Sequence, residues 1–153
     1  MKQNFILSKS PLFTQSNVHY LCIESYYKSI YSLDFKDYQF EQSDPEFISN
    51  NLPEDIRKKI RELGDSYYMI AIIPDDKVKD FSNRLKAYLK EKLEKIIKAK
   101  EISDADLYDY IPDLIQNLAA LQDINKDLNL DDIIALVKEI DKFAILSQQI
   151  FFY

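Results

Sequence analysis

A chain of 153 residues has the length of one domain and can bury roughly 70% of its unfolded surface, so it needs no disulfide or metal to fold. With 46% hydrophobic and 30% charged residues it is too apolar for a disordered chain, and a net charge of −6 argues against nucleic acid as a direct partner. One cysteine, Cys22, excludes an intrachain disulfide and a Cys-rich zinc site, and one glycine, Gly64, excludes the glycine-rich loops that cradle phosphates.

Scarce glycine also leaves few residues suited to the left-handed turns of hairpins, so composition favours helices. Residues 3–7 read as a short strand or an ordered arm, closed off by Pro11. From Ser16, the steps Val18, Leu21, Cys22, Tyr26, Ile30 and Leu33 predict a helix, with Tyr20, Ile23, Tyr27 and Tyr31 covering its opposite side. Residues 34–43 read as a loop. Asp44-Pro45-Glu46 and Pro53-Glu54-Asp55 each predict a helix start, and Gly64 caps the second.

Residues 66–73 hold an apolar run whose length does not separate a buried strand from a buried helix. Pro74-Asp75-Asp76 opens the clearest helix, running to about Lys98. Val78, Phe81, Leu85, Leu89, Leu93 and Ile96 form its apolar stripe. The pairs Asp75–Lys79, Asp80–Arg84, Glu91–Lys95 and Glu94–Lys98 stand at i,i+4 along it. Ser103 caps a further segment, broken near Pro112 and continued by Leu114, Ile115, Leu118 and Leu121. A last helix begins near Asp131. The expected fold is therefore all-α, a single domain over residues 1–153 built as a bundle of five or six helices. The alternative is α+β, with a small sheet from residues 3–7 and 66–73.

Charge is uneven along the chain: net −2 over residues 1–74, +4 over 75–100 and −8 over 101–153. The lysine-rich helix interleaves its cations with acids at ion-pair spacing, which reads as a solvated face. Residues 123–134 resemble a calcium loop in Asp123, Asn125 and Asp127. Leu128 replaces its glycine and Ile134 its bidentate glutamate, so an Asx-rich helix-capping turn is the expectation. His19 and Cys22 fall on one face of the expected first helix. A catalytic dyad or metal pair there is the competing reading to two core residues.

The acidic, tyrosine-bearing run Asp104, Asp106, Tyr108, Asp109, Tyr110 and Asp113 is the candidate contact surface, because carboxylates steer a basic partner and tyrosine anchors it. The chain accordingly reads as a non-enzymatic protein-binding module. The sharper form is a small acidic inhibitor or immunity-type protein that covers a basic site on a toxin, nuclease or defence protein. A small enzyme or metal-dependent module, using His19 and Cys22 or the loop at 123–134, is the alternative. No cofactor is expected. The N-terminal apolar run is three residues long, and no run reaches the ~20 needed for a bilayer, so the expectation is a cytoplasmic protein without a membrane span.

Overall fold

The computed structural model describes residues 11–24, 35–99 and 111–141. It is α+β, not an all-α bundle. Strands β1 (Leu12–Gln15), β2 (Val18–Glu24), β3 (Gln39–Ser43) and β4 (Tyr68–Pro74) form one antiparallel sheet in the order β1-β2-β4-β3. Helix α1 (Glu54–Arg61) precedes β4. A 3-10 turn (Asp75–Lys77) leads into α2 (Val78–Ala99), followed by α3 (Ile111–Gln122) and α4 (Asp131–Asp141).

The segment expected to begin a helix at Ser16 is instead a hairpin. Ser16 and Asn17 take φ of 50° and 64°, the two consecutive left-handed positions of a primed two-residue turn, and Gln15 pairs with Val18 across it. Two non-glycine residues thus supply the geometry that scarce glycine was taken to forbid. In β2 the even positions Tyr20 and Cys22 join a cluster on one face, while Leu21 and Ile23 join a cluster on the other. A strand covered on both sides is apolar at every position, so the period of two is hidden and steps of three and four can be found in it. The expected helix beyond residue 24 falls outside the described residues.

The central strand β4 is the run that length left undecided; its other expected partner, residues 3–7, lies outside the described residues. Asp44-Pro45-Glu46 starts no helix. Asp44 and Phe47 exchange backbone hydrogen bonds, and Asp44 Oδ1 accepts from the N–H groups of Glu46 and Phe47 at 2.8 and 2.7 Å, making a tight turn after β3. Residues 39–43, expected as loop, form edge strand β3.

Three layers result. On one face α2, α3 and α4 pack over Leu21, Ile23, Ala71 and Ile73 through Phe81, Leu85, Leu89, Leu93, Leu118, Leu121 and Val137, with Phe35 and Tyr38 beside them. On the other face the eight-residue α1 sets Ile56 and Ile60, with Leu52, against Tyr20, Cys22, Tyr68 and Ile70. Pro112 stands in the first turn of α3, where its missing N–H breaks no helical hydrogen bond. Gly64 follows α1 with φ 102°, a left-handed conformation that an L side chain would strain. Of the expected pairs along α2, Asp80–Arg84 (3.0 Å) and Glu91–Lys95 (3.2 Å) form. Asp75 and Lys79 instead reach His19 and Asp127.

Candidate functional site

The hairpin separates His19 from Cys22. Residues three apart in a strand point to opposite faces, so the proposed dyad does not assemble. Cys22 is buried against the α1 face, and burial pushes its thiol up to about 12, the inert direction for a nucleophile. His19, only 5% exposed, makes a different constellation. Its Nε2 lies 3.0 Å from Asp75 Oδ1, and its Nδ1 lies 2.9 Å from Thr14 Oγ1. Because a carboxylate only accepts, Nε2 carries a hydrogen toward Asp75, and Nδ1 pairs with the Thr14 hydroxyl, which can accept or donate. Asp75 N–H also donates to Asn17 O at 2.9 Å. This chain of contacts fastens β1, the turn and the start of α2 to one another. Both ring nitrogens are engaged and the ring is covered, so the imidazole is placed as a structural tie rather than as a base with access to substrate.

A second polar cluster fixes the segment before β3 to α2. Tyr38 OH donates to Asp80 Oδ2 at 2.6 Å and to Lys77 O at 3.2 Å. Arg84 holds both Asp37 oxygens at 2.7 and 3.0 Å and Asp80 through Nε at 3.0 Å. Burial, reinforced by the bond to Asp80, drives the Tyr38 hydroxyl upward, and the Arg84 guanidinium draws Asp37 below the usual carboxylate range. A third cluster centres on Glu41, which accepts from Ser49 Oγ at 2.5 Å, Gln39 Nε2 at 3.0 Å and Asn51 Nδ2 at 3.2 Å; these donors lower its pKa, Ser49 first. Each of these groups is occupied by neighbours within the chain.

The loop at 123–129 is built from Asx turns. Asn125 Oδ1 accepts from Asp127 N–H at 3.3 Å, and Asn129 Oδ1 accepts from Asp131 N–H at 3.0 Å, where it caps α4. Leu128, only 3% exposed, lies in the core and Ile134 packs against it, which is the packing reason these positions hold neither glycine nor glutamate. No group of three or more His, Cys, Asp or Glu side chains able to hold a metal occurs among the described residues.

Of the acidic-aromatic candidates, Asp104, Asp106, Tyr108, Asp109 and Tyr110 fall outside the described residues; Asp113 is placed in the first turn of α3. The described surface instead offers a corner that sequence reasoning missed. Phe47 and Tyr67, exposed at 55% and 57%, are the two large hydrophobic side chains most open to solvent among the described residues. The register that pairs Ser43 with Tyr68 carries Tyr67 to the level of Asp44, at the base of the 44–47 turn. Between that turn and α1 lies a concavity of about 400 Å³ walled by Pro45, Glu46, Phe47, Ile48, Arg57 and Arg61, among others. On the other side of Arg61 is a smaller depression of about 140 Å³ that includes Asp44 and Asp65. Arg57 Nη1 reaches Glu54 Oε2 at 2.9 Å, and Arg61 Nη1 stands 3.6 Å from Glu54 Oε1. Arg57 Nε is buried and has no acceptor within the protein. The signal available in the sequence was a phenylalanine inside the polar, proline-bearing stretch 43–53, where no apolar period accounts for it.

Compared with protein-family models, with curated proteins and with solved structures, the chain matches none. No helix among the described residues is long and apolar enough to cross a membrane.

Proposed function

We propose that this chain is a non-enzymatic protein-binding module. The observation that carries the reading is Phe47, exposed on the wall of a concavity that Arg57 and Arg61 also line, with Tyr67 a second exposed ring near the base of the same turn. Aromatic and arginine side chains around a concavity are the composition of interface hot spots, and two large rings left in water are a cost that a partner surface removes. The polar clusters at His19, Tyr38 and Glu41 support the same reading, since each spends its groups on holding the fold.

The finer form is an acidic inhibitor of a basic protein, such as a toxin, nuclease or defence protein. A net charge of −6, concentrated in the last third of the sequence, would speed encounter with such a partner, and the run from Asp104 to Asp113 would take part in it. The test is capture on the immobilised chain from its native cell, repeated with Phe47→Ser/Tyr67→Ser and with Asp106→Asn/Asp109→Asn. A stoichiometric basic protein that the first variant releases, and that associates more slowly with the second, supports the proposal. A protein bound equally by all three forms, or turnover of a small molecule by the pure chain, overturns it.

A further inference from the structure

We infer that β1 is a docking edge for a second copy of this chain, the two copies joining β1 to β1 antiparallel about a twofold axis at Phe13 so that their sheets become one. The inference concerns a surface apart from the Phe47 corner and does not rest on the reading above. It starts from the hydrogen-bond ladder. Cys22 N–H donates to Pro11 O at 2.9 Å, so Pro11 with Cys22, Phe13 with Tyr20 and Gln15 with Val18 are the hydrogen-bonded pairs of the β1–β2 register. The N–H and C=O groups of Leu12 and Thr14 therefore point away from β2. Strand β1 ends the sheet, and among the described residues no backbone group meets those four. Thr14 is exposed. The other edge, β3, is guarded: Ser49 N–H closes on Gln42 O at 3.2 Å, Ser43 bridges to Ile48, and Glu41 puts a charge on the strand. From Leu12 to Gln15, β1 carries no charge and, among the described residues, no such strap.

The edge is complementary to itself. Turned about an axis at Phe13, Leu12 of each copy faces Thr14 of the other, and all the outward groups meet in hydrogen bonds. Phe13 then stands opposite the second copy's Phe13 in the non-hydrogen-bonded pair, where facing side chains come closest, as an aromatic pair on the α1 side of the sheet. Phe13 is only partly buried against the α1 cluster, so ring surface remains for that contact. Charge permits the approach despite a net −6. The strand is neutral, and the two charges beside it have opposite signs. Lys59 Nζ lies 5.7 Å from the Phe13 ring centroid, and Asp55 Oδ2 accepts from Gln15 Nε2 at 3.3 Å, so each copy brings one charge of either sign to the seam. A foreign strand meets the outward groups equally well; the match of Phe13 to itself and the balanced charge select a second copy. Four residues from each copy bury well under the ~1,200 Å² of a stable interface, so association is weak, on the order of 100 µM. Because β1 and β3 are opposite edges, the turn after β3 stays open in both copies, and the dimer presents two such corners.

Sedimentation of the full chain from about 10 µM to about 1 mM, a range that brackets that affinity, should show its mass rise from monomer toward dimer. The Leu12 and Thr14 amides should gain exchange protection over the same range. Register is read by cross-linking with oxidised glutathione. Phe13→Cys puts the two thiols in the non-hydrogen-bonded pair, with Cα atoms about 4.5–5.5 Å apart and within disulfide reach. Gln15→Cys leaves its two Cα atoms about 14 Å apart. Cys22 is buried and does not compete. The first variant should link roughly tenfold faster than the second, or more, because only it is held in reach. A chain that stays monomeric at ~1 mM overturns the inference. So does a dimer whose two cysteine variants link at equal rates, because another surface then joins the copies. Full protection of Leu12 and Thr14 in the monomer at ~10 µM also overturns it, because the edge is then paired within one copy. Should Phe13→Cys fail to fold, the sedimentation and amide measurements on the parent chain still decide.

Discussion

The Ser16-Asn17 turn should be a weak point that one substitution can strengthen or break. Both residues occupy the left-handed region, at φ 50° and 64°. That conformation costs an ordinary L-residue about 1–2 kcal/mol, and less for asparagine. Ser16→Gly removes the steric cost and adds about 0.5–1 kcal/mol of lost chain entropy, for a net gain of about 0.5–1 kcal/mol. In a chain of this size that raises the melting midpoint by roughly 1–4 °C. Ser16→Val adds a branched Cβ to the same conformation and should cost a further 1–2 kcal/mol, on the order of 2–8 °C. Urea unfolding of the three proteins with a common slope measures both differences. The reasoning fails if Ser16→Val is as stable as the parent, or if Ser16→Gly loses more than about 1 kcal/mol. Either result would mean that the turn does not hold the geometry on which β1 and β2 pair.

Two further outcomes follow from the buried groups. The Cys22 thiol is raised to about 12 in the fold from an ordinary value near 9, so above that value the unfolded chain releases a proton that the native chain keeps. Stability is fully present below pH ~9 and falls as pH rises toward the native value, by up to about 1.4 kcal/mol per pH unit. Cys22→Ala should flatten this decline between pH 8 and 10, below the range where Tyr38 adds its own loss, and parallel pH curves for the two proteins would refute the linkage. Tyr38→Phe keeps the ring against Phe81, with centroids 5.0 Å apart, and deletes the 2.6 Å donation to Asp80. It should cost about 1.5 kcal/mol in urea unfolding, because the acceptor is charged but still paired with Arg84; a loss near zero would show the bond to be solvent-exchanged.

The helical layer was legible because α2 and α4 each set an apolar stripe against a polar, exposed face. The Val78 to Leu93 spacing, the Pro74-Asp75 entry and the start near Asp131 all stand in the structure. The sheet was not legible because helices cover it on both sides. Val18 to Ile23 and Tyr68 to Ile73 lose the polar alternation that marks a half-exposed strand. A count of one glycine then misled in the same direction, since Asn17 tolerates the left-handed turn almost as well. Of the candidate site, the Asx character of residues 125–131 was readable, because side chains that bond their own backbone act locally. The concavity at Arg57 and Arg61 was not, because it joins residues brought together by the packing of α1 on the sheet.

The unequal cover of the two sheet faces has a consequence for the order in which the protein opens. Helix α1 is eight residues long, below the length at which a helix persists alone, and is held mainly by Ile56 and Ile60. The opposite face is locked by three longer helices. Amide hydrogen exchange should therefore divide the described chain into a fast-opening unit at 54–61 and a slow unit at β2, β4 and α2. Arg57 and Arg61 ride on the fast unit, so a ligand seated between them and the 44–47 turn would be bound only while α1 is docked. Protection of the α1 amides would then rise with ligand concentration while the core amides stayed unchanged, and the least stable helix would be the one whose exchange reports occupancy.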